Sequence, residues 1–160
     1  MQKRRFVVTG GSGFVGQFLI KKLSSLYPDS KIHNIDIHHP IGLGLSNVSN
    51  HIIDLTNQQS LKSFKFSEND IVYHLAAYIF TDHVPSKAKR EGWFESLNVY
   101  GTQNLLAAME ENGAKNIAFI STDMVYGSPQ TNPIETNHPL NPNGPYGLSK
   151  IKAEKLIGDF

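Results

Sequence analysis

The sequence predicts an α/β fold in which a doubly wound parallel sheet carries helices on both faces. Three observations point there. Short β-branched runs alternate with helical apolar patterns along the chain. A glycine cluster, Thr9-Gly10-Gly11-Ser12-Gly13-Phe14-Val15-Gly16, lies between the first such run and the first helical pattern. An acidic residue, Asp36, closes the second run about twenty residues further on. Alternating strands and helices imply parallel strands, because each connection must cross a face of the sheet.

The first strand is read from the short β-branched run Phe6 to Val8. Phe14, Val15, Phe18, Leu19, Leu23 and Leu26 then recur at helical spacing, and Pro28-Asp29 stops that helix. Ile32 to Ile37 is the second strand, followed by Pro40 and a loose loop from Gly42 to Asn50. His51 to Asp54 reads as a short third strand, and Leu55 to Phe66 as a weakly patterned helix closed by Ser67 to Asp70. Ile71 to Leu75 is the fourth strand, running into Ala76-Ala77. Thr81 to Gly92 is polar and irregular, suited to a loop or lid. Trp93 to Glu111 is a long helix with Leu97, Tyr100, Leu105, Ala108 and Met109 near one face, ended by Asn112-Gly113. Ile117 to Ile120 is the fifth strand, and leads into Ser121-Thr122. Asp123 to Pro145 holds five prolines and is a long loop of the kind that carries function. A last helix starts near Tyr146. This order is that of a Rossmann-type sheet.

Composition narrows the function. The 160 residues are one domain's worth, and 39% hydrophobic with 18% charged residues is the balance of a soluble globular protein. A formal net charge of +1 gives no reason to expect nucleic acid or an acidic membrane surface as partner. Lys3-Arg4-Arg5 reads as a solvated lead-in to the first strand. Without cysteine there is neither a disulfide framework nor a thiolate metal site. No secretory h-region and no membrane-spanning stretch is visible, so the cytoplasm is the expected location. His33, His38, His39 and His51 lack the spacing of a zinc site, and no metal is expected.

The chemistry concentrates in three places. The glycine turn, followed at once by a helix, lets the backbone approach a pyrophosphate whose charge the helix N-terminus holds. Asp36 can accept both ribose hydroxyls and would repel a 2′-phosphate, which favours NAD over NADP. Tyr146 and Lys150 stand one helical turn apart. An ammonium beside the phenol, with a positive nicotinamide ring nearby, is expected to lower the phenol's pKa from near 10 and make Tyr146 a usable acid/base. Ser121-Thr122 supplies hydroxyls at the strand edge where open α/β sheets place ligands.

The glycine cluster together with Asp36, Asp54-Leu55, His74-Leu75-Ala76-Ala77, Asn98-Val99-Tyr100-Gly101-Thr102, Ser121-Thr122 and Tyr146-x-x-x-Lys150 resembles the extended short-chain dehydrogenases/reductases. Within them the chain is similar to the NAD-dependent epimerase/dehydratase family acting on nucleotide sugars. The resemblance covers essentially the whole chain. It implies that Gly10, Gly13, Phe14, Val15 and Gly16 hold the cofactor, and that Asp54 bonds the adenine amino group while Leu55 lines its pocket. Leu75, Ala76 and Ala77 would pass beneath the cofactor. Asn98 would kink the long helix and support a proton-relay water. Tyr146 would be the acid/base, Lys150 would hold the nicotinamide ribose, and Thr122 would bind the reacting oxygen. Two copies would pair through the long helix and the Tyr146 helix.

Two features depart from the family pattern. Met124 stands where the 4,6-dehydratases carry a glutamate after Thr-Asp, so epimerase or keto-reductase chemistry ranks above dehydration. Relatives also continue past the Tyr/Lys helix into a substrate lobe. Residues 1–160 are therefore expected to be an NAD-binding domain without that lobe, inactive alone. A hydroxysteroid-type dehydrogenase shares every motif and stays open as an alternative, as does a non-catalytic NAD-binding module.

Overall fold

The computed structural model describes residues 4–40, 42, 44–81 and 83–160. Lys3 of the basic lead-in lies outside the described residues, as do Leu43 and Asp82 of the two expected loops. Five strands form one parallel sheet in the order β3-β2-β1-β4-β5. They are β1 (Arg5–Thr9), β2 (Lys31–Asp36), β3 (Val48–Ile52), β4 (Asp70–His74) and β5 (Asn116–Phe119). The chain leaves the central strand β1 towards β2 and later returns to β4 on its other side. This reversal opens a crevice at the carboxyl ends of β1 and β4.

Both faces of the sheet are covered, which is why the middle of β1, Phe6 to Val8, is apolar on both sides. On one face Phe6, Val8 and Ile32 pack with Ile20 and Leu23 of α1 (Phe14–Leu26). On the other, Val7, Ile35 and Val72 pack with Leu105, Leu106 and Met109 of α4 (Thr102–Glu111), while Leu156 and Ile157 of α5 (Pro145–Asp159) add to the rim.

The face that α1 buries differs from the one its larger apolar residues suggest. Gly16, Ile20 and Leu23 point inward, whereas Phe14 is 82% exposed and Val15, Phe18 and Leu26 also face out. The helix carries two apolar stripes at helical period. The one containing Gly16 wins because a residue without a side chain allows the helix to lie close to the sheet. Phe14 and Phe18 meet each other edge-on at 5.2 Å instead.

The long helix begins earlier than Trp93 and is not uniform. A 3-10 turn (Lys87–Lys89), α3 (Arg90–Glu95), a π turn (Ser96–Gly101) and α4 run on without a break. The π turn inserts an extra residue per turn and so rotates the remainder of the helix about its axis. Tyr100, placed by simple periodicity with Leu105 and Met109, is therefore 56% exposed while those two are fully buried.

Two further boundaries move, and one charge takes a different role. β3 starts at Val48 inside the expected loop, because backbone pairing of Ile32 to Asp36 with Val48 to Ile52 defines it. The helix expected over 55–66 shrinks to α2 (Gln58–Leu61), capped by the Asn57 side chain. Leu61 at the end of α2 is buried, and Phe64 and Phe66 are buried all the same, held by tertiary contact from irregular backbone. Arg5 is no solvated lead-in. It forms an ion pair with the fully buried Asp70 at 3.1 Å, donates to the Lys65 carbonyl at 2.6 Å and lies over the Phe64 ring. Among the described residues no helix is long and apolar enough to cross a membrane.

Candidate functional site

A groove of about 470 Å³ opens over the crevice between β1 and β4. Gly10, Gly13, Phe14, Val15, Gly16, Asp36, Asp54, Leu55, Leu75, Ala76 and Ala77, the residues expected there from spacing and resemblance, all line it. The glycine turn is shaped by two close approaches. Gly10 has φ +71°, and a Cβ there would lie 2.6 Å from the Ala76 nitrogen. A Cβ on Gly16 would lie 2.5 Å from the Gly11 Cα, so α1 and the turn touch backbone to backbone.

The groove's chemistry fits a dinucleotide. Gly13 caps α1 with no side-chain bond, and the first intrahelical bond runs from the Gln17 N–H to the Gly13 carbonyl. The N–H groups of Phe14 to Gly16 precede it and are left to an anion, as at any helix start. At one side stands the Asp36 carboxylate. Its Oδ2 accepts from the Ser12 N–H and its Oδ1 from the His38 N–H, both at 3.0 Å. Each oxygen keeps a second lone-pair site for a hydroxyl. No lysine or arginine is among the groove's described lining. Ile37, Ile53 and Leu97 add apolar lining to the groove, and Asp54 is also in its wall. Asp54 Oδ1 takes both bonds from Thr56.

Thr122, Tyr146 and Lys150 lie outside this lining and gather at the carboxyl end of β5. α5 begins at Pro145, so Tyr146 and Lys150 share its first turns, and Thr122 precedes a 3-10 turn (Asp123–Val125). The Tyr146 ring contacts Phe80 and Phe94 at 5.9 and 5.5 Å, directly after the groove-lining Ile79. Asn98, in the π turn, joins the two regions. Its Oδ1 accepts from the Tyr78 N–H at 2.7 Å, and its Nδ2 donates to the Tyr78 carbonyl and to Ser149 Oγ at 3.0 and 2.9 Å. The helix departs from α geometry where this buried amide sits, as expected for a kink with an identifiable cause.

The electrostatics correct one expectation. Burial raises the Tyr146 phenol above its ordinary pKa; the neighbouring Thr122 hydroxyl opposes this and the Asp123 carboxylate adds to it. Lys150 does not bring it down, because its ammonium points elsewhere. Nζ donates to the Ile120 carbonyl at 2.6 Å and lies 4.0 Å from the centre of the Phe119 ring. Burial lowers Lys150 itself to about 8, against the pull of Glu154 one turn on. Thr122 Oγ1 donates to Asp123 Oδ1 at 3.2 Å and accepts from the Met124 N–H.

Some residues that shape the site carry no motif. Asn34 on β2 donates to Ser12 Oγ at 3.1 Å and so braces the glycine turn. Glu154 accepts from Ser121 Oγ and ties α5 to the end of β5. Tyr78 stacks on Trp93 at 4.2 Å, which fixes the wall between groove and helix. The spacing of Glu154, four residues after Lys150, is the one sequence signal by which any of them could have been found. Away from the site, His33 Nδ1 and His51 Nε2 meet at 2.9 Å across β2 and β3. Among the described residues no third metal-ligating side chain joins them.

The sequence model of the NAD dependent epimerase/dehydratase family matches residues 6–160. The dTDP-D-glucose 4,6-dehydratase of Mus musculus is 33% identical over 166 residues, covering 98% of this chain and 46% of that protein. The N-acetyl-alpha-D-glucosaminyl-diphospho-ditrans,octacis-undecaprenol 4-epimerase of Escherichia coli O157:H7 is 37% identical over 154 residues, covering 96% of this chain and 43% of its own. The chain thus spans less than half the length of these relatives. Among solved structures, a short-chain dehydrogenase/reductase superfamily protein of Agrobacterium tumefaciens with bound NAD superposes with a TM-score of 0.80. It is 29% identical, and the match covers 96% of this chain and 44% of that one.

Proposed function

The chain belongs to the NAD dependent epimerase/dehydratase family, and from that membership we propose that it binds NAD and serves a cytoplasmic enzyme that oxidises a nucleotide-activated sugar. The observation that carries the reading is the placing of a Tyr146/Lys150/Thr122 cluster directly beyond a dinucleotide-shaped groove on one sheet edge. NAD, when bound, supplies the hydride acceptor. Asp36 supports NAD rather than NADP, since a 2′-phosphate would meet its carboxylate with no lysine or arginine in the described lining to offset it.

Thr122 binds the sugar hydroxyl that is to be oxidised and orients it towards the Tyr146 phenol. As its phenolate, Tyr146 takes the proton from that hydroxyl, returning to the phenol, as the carbon loses its hydride. On turning from the Ile120 carbonyl to the ribose end of the cofactor, Lys150 brings its charge near the phenol, and only from there does it favour the phenolate. Asn98 keeps Tyr78 and α5 in fixed relation. Epimerisation or keto reduction fits better than dehydration, because Met124 offers no carboxylate next to Asp123 to abstract a carbon-bound proton. Two copies pair through the outer faces of α3–α4 and α5.

The test is Tyr146→Phe in the full-length protein. Turnover of a nucleotide sugar is lost, by about 10³-fold or more, while NAD affinity stays within a few-fold. A variant that keeps most of its turnover overturns the assignment.

A further inference from the structure

His74 is the last residue of β4 and is fully buried between the sheet and the long helix. Both of its ring nitrogens are used. Nδ1 is 2.6 Å from Thr9 Oγ1, at the end of β1, and Nε2 is 2.8 Å from Thr102 Oγ1, at the start of α4. The neighbouring bonds decide which nitrogen carries the hydrogen. Thr102 Oγ1 lies 2.8 Å from the Asn98 carbonyl, which only accepts, so the one hydroxyl hydrogen of Thr102 goes there. Nε2 must then be the donor to Thr102. Nδ1 is left bare and accepts the Thr9 hydroxyl hydrogen, while Thr9 Oγ1 in turn accepts the Ala76 N–H at 3.4 Å. The opposite tautomer would turn an N–H towards Thr9 and leave that hydroxyl hydrogen with no acceptor among these partners.

A single directed chain results. It runs from the Ala76 N–H through Thr9 to His74, and from His74 through Thr102 to the Asn98 carbonyl. There the hydrogen-bonded chain ends, and the same residue's side chain separately donates to Ser149 Oγ, which donates to the Tyr146 carbonyl at 2.7 Å. Ala76 lines the groove beside the glycine turn, and Tyr146 opens α5. A proton added to His74 would break the chain at Thr9. Burial, with the Lys150 charge acting in the same sense, pushes the imidazole down to about 3, so the neutral form persists.

We propose that His74, fixed as the Nε2–H tautomer, is a positioning residue that couples the floor of the cofactor groove to the Asn98 turn and, through it, to the Tyr146 helix. The functional part rests on the proposed roles of the groove and of Tyr146; the tautomer does not.

Three measurements on the full-length protein test it. In histidine-labelled protein, ¹⁵N resonances report the tautomer directly. The Nε2–H pattern is expected, unchanged from about pH 8 to pH 5; an Nδ1–H pattern or a titrating ring overturns the proposal. Thr102→Val cuts the chain while leaving the imidazole in place. It is expected to lower kcat about tenfold with NAD affinity within about threefold. Thr102→Ser, which restores the hydroxyl, is expected to recover kcat. Wild-type kcat in Thr102→Val, or a Thr102→Ser variant as slow as Thr102→Val, overturns the coupling. If the wild-type protein neither binds NAD nor turns over a nucleotide sugar, the proposed function fails, and the resonances still decide His74.

Discussion

Gly16 and Asp36 show how much a single position can fix. At Gly16 the missing side chain is what brings α1 against Gly11, so Gly16→Ala pushes the helix start away from the turn. NAD binding is expected to weaken by at least about tenfold, roughly 1.4 kcal/mol, in a calorimetric titration. Asp36 acts through charge. Its carboxylate already accepts from Ser12 and His38 on the loop side and faces the groove. Asp36→Ala is expected to shift the NAD-to-NADP affinity ratio towards NADP by about tenfold or more, the worth of a charged hydrogen bond. An unchanged ratio refutes the role given to β2. Glu154 is the third case. Its charge supports the Lys150 ammonium against burial, so Glu154→Gln moves the Lys150 pKa further below about 8, read from the pH dependence of lysine modification.

At the scale of elements, the π turn is the feature on which the two regions of the site depend. It places the Asn98 amide between the Tyr78 backbone and Ser149, using three hydrogen bonds in a buried setting. Asn98→Ala leaves the Tyr78 groups and Ser149 without those partners. It is expected to destabilise the fold by about 3 kcal/mol in urea titration, since buried unpaired groups cost about 1–3 kcal/mol each. The helix stays, because its buried face of Leu105, Leu106 and Met109 is untouched. A neutral effect on stability means that the amide is not holding these elements. α5 is organised differently. Its Lys150 is bonded to the end of β5, and Glu154 to Ser121 one residue further along, so the helix is registered on the strand at two points.

Across the whole molecule, burial sets the response to acid. His74 is held neutral down to about 3 and His33 to about 4, in both cases mainly by burial, while an unfolded chain protonates both near 6.5. The unfolded state thus binds more protons below 6.5 than the folded one does. Stability contributed by their neutral burial is complete above pH 6.5 and is lost as the pH falls towards those lower values. Urea midpoints are expected to hold level from pH 8 to 7 and to fall steadily from 6.5 to 5. His51, lowered by burial and Arg5, acts in the same sense, and Asp70, raised by burial, in the opposite one. Level midpoints down to pH 5 contradict the burial of His74.

The sequence by itself determined the features that covalent geometry and short spacing impose. The glycine turn between strand and helix, Asp36 at the end of the second strand, and Tyr146 and Lys150 one turn apart all obey local rules, and so does the α/β order. Tertiary structure decided the features that depend on groups distant in the chain. Which apolar stripe of α1 turns inward depends on the sheet beneath it, and periodicity describes both stripes equally. The position of Tyr100 depends on a π turn that forms around the contacts of Asn98 with Tyr78 and Ser149. Arg5 reads as a solvated charge until β4 brings Asp70 beside it. The phenol of Tyr146 rises rather than falls because desolvation is a property of the packed state, and because Lys150 finds the Ile120 carbonyl thirty residues away in sequence. Spacing along a chain reports which groups can meet; only the assembled core fixes the solvent they lose and the partner each one takes.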